Sequence, residues 1–190
     1  ALSRGGFPAA VAPLGTAVTD EQIEALWKLA EEPVFCFDGD NAGQRAAKRA
    51  AERALPLLKP GKSIRFAFLP EGQDPDSLIT EQGPSALRSI LNATQPLAEV
   101  VWDIERQASP TDTPERMAGL KSRLRQQASR IADPTVREQY RSLFDERTTP
   151  QQINPARPGR GHRLWRRPIE SRPRTNLAAA ASSTLWQRIL

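Results

Sequence analysis

Asp38 and Asp40, separated only by Gly39, close the apolar run Val34-Phe35-Cys36-Phe37. A second acidic pair, Asp74 and Asp76 around Pro75, follows the alternating run from Ser63 to Leu69. Carboxylates are hard oxygen donors suited to magnesium or manganese, which keeps several waters and contacts substrate phosphates. Two acidic turns on neighbouring strands would converge on one such site. Paired ions there would activate an attacking hydroxyl and stabilise a leaving oxygen. Singly, Asp-Gly and Asp-Pro are common surface turns. Their repetition after two strands favours metal-assisted phosphate chemistry, with Asp38, Asp40, Asp74 and Asp76 as the ligands.

These carboxylates need elements to hold them. The four apolar residues Val34–Phe37 predict a buried strand, and an alanine-rich pattern predicts a helix from about Asn41 to Leu58. Its Ala46, Ala50, Ala54 and Leu57 share one side, while Arg45, Lys48, Arg49, Glu52 and Arg53 face water. Pro60-Gly61 stops it. A strand over Ser63–Leu69 then puts Ile64, Phe66 and Phe68 on one face, and the loop 70–76 leads into Ser77-Leu78-Ile79. A short helix spans about Ser85 to Leu91. Upstream, residues 9–12 suggest a short strand ended by a turn at 13–16. Thr19 and Gln22 form a capping-box pattern ahead of a helix carrying Ile23, Leu26, Trp27 and Ala30. Alternating strands and helices predict a parallel α/β sheet, which binds ligands beyond the carboxyl ends of its strands.

From Pro96 the period is helical only. Leu97, Val100, Val101 and Ile104 mark one helix. Thr113-Pro114 starts a second, carrying Met117, Leu120, Leu124 and Ile131. Asp133-Pro134 starts a third, with Val136, Tyr140, Leu143 and Phe144. After Arg147 the pattern collapses, and five prolines fall between Thr148 and Arg174. Residues 148–190 therefore read as an arginine- and proline-rich linker or disordered tail.

Charge divides at the same place. Residues 1–146 carry 18 Lys and Arg against 21 Asp and Glu, while residues 147–190 carry nine Arg against Glu170 alone. The tail therefore favours polyanions such as nucleic acid without sequence preference. The single cysteine, Cys36, excludes an internal disulfide and suits a reducing cytoplasm. Placed inside a strand, it reads as a small core residue. With His162 the sole histidine, a zinc site within the chain is excluded. No apolar run is long enough for a membrane span, and no signal-peptide pattern is present. The opening Ala1-Leu2-Ser3-Arg4-Gly5-Gly6-Phe7-Pro8 reads as the interior of a longer chain.

The stretch Phe35-Cys36-Phe37-Asp38-Gly39-Asp40-Asn41-Ala42-Gly43, followed by Phe66-Ala67-Phe68-Leu69-Pro70-Glu71-Gly72-Gln73-Asp74-Pro75-Asp76-Ser77-Leu78, resembles the Toprim domain of bacterial replicative DNA primases of the DnaG type. Ala10-Val11-Ala12-Pro13-Leu14-Gly15-Thr16-Ala17 is similar to the family's preceding segment. The likeness continues through the helical region to about Arg147. It implies an incomplete Rossmann-like Toprim domain over 1–95, a helical subdomain of the polymerase core over 96–147, and a basic tail over 148–190. It implies RNA primers made on a single-stranded DNA template from nucleoside triphosphates. Asp38, Asp40 and Asp74 would be catalytic and, with Asp76, would hold Mg2+ or Mn2+. A replicative helicase would be a further partner, through a domain not recognisable here. The family's catalytic glutamate, zinc module and basic subdomain have no match in the sequence, so the chain alone is expected not to prime.

Three other readings compete. In haloacid-dehalogenase-type phosphatases the second aspartate is followed two residues later by Thr or Val, where this chain has Ala42. Topoisomerases and nucleases with a Toprim domain share Asp-x-Asp but lack the Leu-Pro-Glu-Gly-Gln-Asp-Pro-Asp context. A non-catalytic nucleic-acid-binding remnant would act through the arginines of the tail alone.

Overall fold

The computed structural model describes residues 2, 6–12 and 17–149. The turn expected at 13–16, His162 and the tail from 150 onward lie outside the described residues.

Thr19 caps helix α1 (Asp20–Trp27) through the reciprocal box with Gln22 that the sequence predicts. Strand β1 (Val34–Phe37) follows, then α2 (Asn41–Ala54). The expected continuation of α2 to Leu58 is replaced by a 3-10 turn over Leu55–Leu57. Pro56 accounts for this: it has no N–H to donate and crowds the preceding turn. Strand β2 (Arg65–Phe68) pairs in parallel with β1, Val34 opposite Arg65 and Phe37 opposite Phe68. Next come α3 (Pro75–Gln82), α4 (Pro84–Asn92) and a two-residue strand β3 (Gln95–Pro96), which lies antiparallel on β2. The expected parallel pair thus gains an antiparallel edge. Helices α5 (Leu97–Gln107), α6 (Pro114–Ser129) and α7 (Pro134–Arg147) complete the described chain.

Period-two alternation sorts the strands onto two faces. Phe35, Phe37, Ile64, Phe66 and Phe68 point to the larger core, shared with α2 and α5–α7. Cys36, Ala67 and Leu69 point the other way, to a smaller cluster with Leu78 and Leu87. On α2 the buried side is made of Ala46, Ala47, Ala50, Ala51 and Ala54. Without long side chains between them, helix backbone and phenylalanine sheet come close, and Phe37, Phe66 and Phe68 stack with centroids 5.8–6.4 Å apart. Trp27 donates its indole N–H to the Ser63 carbonyl at 2.7 Å, and Lys62 Nζ donates to the Trp27 carbonyl at 3.0 Å. These two bonds tie the end of α1 to the start of β2.

Candidate active site

Both acidic turns leave the same edge of the sheet, because β1 and β2 run in parallel. The Leu69 amide donates to the Phe37 carbonyl at 3.0 Å, extending the ladder one step past the strands. Asp38 is therefore the first residue beyond β1, level with Leu69. Gly39 then lies against the neighbouring turn. A Cβ built there would stand 2.0 Å from the Pro70 carbonyl oxygen and 2.4 Å from that of Leu69. Gly39 is thus required by the second acidic loop, a closer constraint than the approach of a metal. Gly43 is equally confined, since a Cβ on it would stand 2.1 Å from the Asp38 carbonyl oxygen. The first turn of α2 is laid directly on the backbone of Asp38.

Two of the four candidate ligands also start helices. Asp40 is the N-cap of α2, its Oδ1 accepting from the Gly43 amide at 2.7 Å. Asp74 is the N-cap of α3, its Oδ1 accepting from the amides of Asp76 at 2.7 Å and Ser77 at 2.9 Å. Ser77 returns the contact by accepting from the Asp74 amide at 2.9 Å. The sequence reading missed this second box and the helix behind it. Its signal was present in Asp74-Pro75, the same pair that announces α7 at Asp133-Pro134. Asp38 is half-buried, while Asp76 and Asp40 are exposed.

Cys36 is 1 % exposed and faces the smaller core. Burial, reinforced by the Asp38 charge, pushes its thiol up to about 12. It is a packing residue, as its place inside the strand suggested.

Among the described residues no group of three or more His, Cys, Asp or Glu side chains is placed to hold a metal ion. A closed cage of protein ligands is therefore not preformed. The donor set nonetheless fits magnesium or manganese, which takes one or two carboxylates and completes its shell with water and phosphate. Asp40 and Asp74 each spend Oδ1 on a helix amide, and Oδ2 takes part in no hydrogen bond among the described residues.

Comparison with known proteins bears on the family. The Toprim domain family matches residues 1–68. A curated DNA primase from Rickettsia felis is 37% identical over 146 residues, covering 77% of this chain and 24% of that protein. The crystal structure of a DNA primase domain from Pseudomonas aeruginosa superposes with a TM-score of 0.72 at 40% identity, covering 77% of this chain and 46% of that one. A DnaG primase catalytic domain bound to ssDNA superposes at 0.69 with 32% identity, covering 76% and 47%. The chain spans about a quarter of the length of the curated relatives it matches and about half of the solved catalytic domains. Sequence and fold agree: the chain matches the Toprim-bearing catalytic core of bacterial DnaG-type DNA primases.

Proposed function

We propose that this chain supplies the acidic face of a nucleotidyl-transfer site in a DNA primase, an enzyme that lays down short RNA primers on single-stranded DNA from nucleoside triphosphates. The observation that carries this reading is the packing of Gly39 on Leu69 and Pro70, which sets the two acidic turns side by side at the carboxyl ends of parallel strands. Asp38, Asp40, Asp74 and Asp76 would hold Mg2+ or Mn2+. The bound ion would supply charge neutralisation for the triphosphate and make the primer's 3′-hydroxyl a better nucleophile.

The chain's own contribution is orientation. The amide bonds to Oδ1 of Asp40 and Asp74 fix both carboxylates, so each second oxygen keeps one direction without reorganising during the reaction. Four carboxylates would otherwise repel a triphosphate, which makes catalysis strictly dependent on added cation. Residues 1–95 would act as the partial Toprim unit, 96–147 as the helical subdomain and 148–190 as an arginine- and proline-rich linker or tail. The DnaG relative bound to ssDNA supports a single-stranded template as partner. The RNA primer is the product, and a replicative helicase is a further partner. The setting is the cytoplasm. Among the described residues no helix is long and apolar enough to cross a membrane.

The test has two arms. Calorimetry with Mn2+ should give weak binding to this chain that is abolished by Asp38→Asn with Asp40→Asn. In a full-length primase carrying the same two substitutions, primer synthesis should fall by at least about 10²-fold. Unchanged metal binding and unchanged primer synthesis would overturn the assignment.

A further inference from the structure

A groove of about 380 Å³ runs between α2 and α5, and the acidic turns do not use it. Its lining includes Asn41, next to Asp40, and Phe68 at the end of β2. Gln44 and Arg45 line one wall, and Gln95, Asp103 and Gln107 line the other. Among the described residues no hydrogen bond or ion pair joins these walls, and Arg45 has no acidic partner.

Asp103 is the informative residue. It is half-buried, yet it takes part in no hydrogen bond and no ion pair among the described residues. Burial first, and then the charge of Glu99, raises its pKa, against the pull of Arg106 and Arg147. A partly desolvated carboxylate without a donor is costly, and such a group calls for water or a ligand. A ligand that brings N–H donors would satisfy it. The amides of Gln44, Gln95 and Gln107 can both donate and accept, as an edge of mixed polarity requires. Arg45, exposed on the lining, suits an anion and disfavours a basic peptide there. The volume falls within the range of small-ligand pockets.

We propose that this groove binds the base of a nucleotide bearing an exocyclic amine, with Asp103 accepting from the amine and Arg45 facing the phosphate. Carboxylates accept from cytosine N4 in just this way. The inference rests on the primase reading for the presence of nucleotides beside Asp38 and Asp40. A free ribonucleotide and a base of a single DNA strand share the chemistry.

The test is an NMR titration of the whole chain in EDTA, with CMP, with UMP, and with short dC-only and dT-only strands. CMP or the dC strand should shift the backbone amides of Gln44, Arg45, Gln95 and Asp103, and whichever of the two binds tighter names the source. UMP and the dT strand, which carry a carbonyl in place of the amine, should bind about tenfold more weakly. Asp103→Asn should erase that preference, and Arg45→Gln should weaken all binding ligands alike, with circular dichroism confirming that both variants fold. Equal shifts from cytosine and uracil or thymine, no shifts at all, or an unchanged preference in Asp103→Asn would overturn the proposal. With EDTA excluding divalent ions, failure here leaves the metal assignment standing. Failure of the calorimetric test equally leaves this groove intact.

Discussion

Gly39 and Pro70 share one small volume: a Cβ on the first would lie 2.0 Å from the carbonyl oxygen of the second. Backbone, unlike the end of a flexible side chain, has little room to give. Gly39→Ala is therefore expected to push the Asp38–Asp40 and Asp74–Asp76 loops apart and to destabilise the fold by about 3 kcal/mol, the upper end of the usual cost of overpacking. Gly61→Ala is the control. Open space surrounds Gly61 and its φ is +76°, so only the left-handed backbone resists, at about 1 kcal/mol. Urea denaturation of both variants measures the difference, and equal costs would show that the two loops are not in contact.

In the proposed site Asp40 and Asp74 would be both helix caps and metal ligands, and substitution can separate the two. An asparagine still accepts from the helix amides but carries no charge. Asp40→Asn and Asp74→Asn are expected to keep stability within a few tenths of a kcal/mol while Mn2+ affinity drops. The corresponding alanines lose the cap as well, at about 1 kcal/mol each. Melting curves read alongside calorimetry separate the two effects. If the asparagine variants melted as low as the alanines, charge rather than capping geometry would be what holds these helix starts.

The capping role of these aspartates also bears on what the sequence disclosed and what it withheld. Val34–Phe37 is legible to the residue, because a four-residue apolar run stopped by Asp-Gly is too short for a buried helix and suits a buried strand. Asp133-Pro134 reads as a helix start, whereas the same pair at Asp74-Pro75, inside a loop of several acidic residues, reads as an acidic turn. A short carboxylate suits a magnesium ion and a free amide equally well, and its type cannot say which it serves. Strand β3 has two residues, too few for any periodicity, and exists only because Gln95 and Pro96 are brought against β2. The groove beside α5 was hidden for a related reason: Asp103 stands next to the apolar stripe of Leu97, Val100, Val101 and Ile104, and only packing reveals that it is half-buried with no hydrogen bond among the described residues.

Cys36 offers a clean check on burial. The thiolate is the reactive form of cysteine, and with the pKa pushed up to about 12 only on the order of 10⁻⁴ of the thiol is ionised at pH 8. In the folded chain Cys36 should be unmodified by a disulfide-exchange reagent over an hour at that pH, and should react completely in denaturant. Rapid native modification would mean that β1 opens to solvent on that timescale.

One buried acid sits at the contact of α5 with α6. Glu105 is 7 % exposed and accepts from Arg123 Nε at 3.1 Å and from Gln127 Nε2 at 2.7 Å, while Arg123 also donates to the Glu105 carbonyl at 3.0 Å. Arg123 is itself partly exposed, so the pair is screened on one side and has less at stake than a fully enclosed ion pair. Removing the arginine still leaves a carboxylate facing Gln127 alone at the α5–α6 contact. Arg123→Ala is therefore expected to cost about 2 kcal/mol, below the value for breaking a fully buried pair. Glu105→Gln should cost less, because the amide oxygen keeps an acceptor for Arg123 and leaves no charge to desolvate. Combined in one chain, the two changes should be less damaging than their sum, since the second removes the charge that the first strands. Strict additivity in urea denaturation would mean that Glu105 draws its support from elsewhere and that Arg123 only covers it.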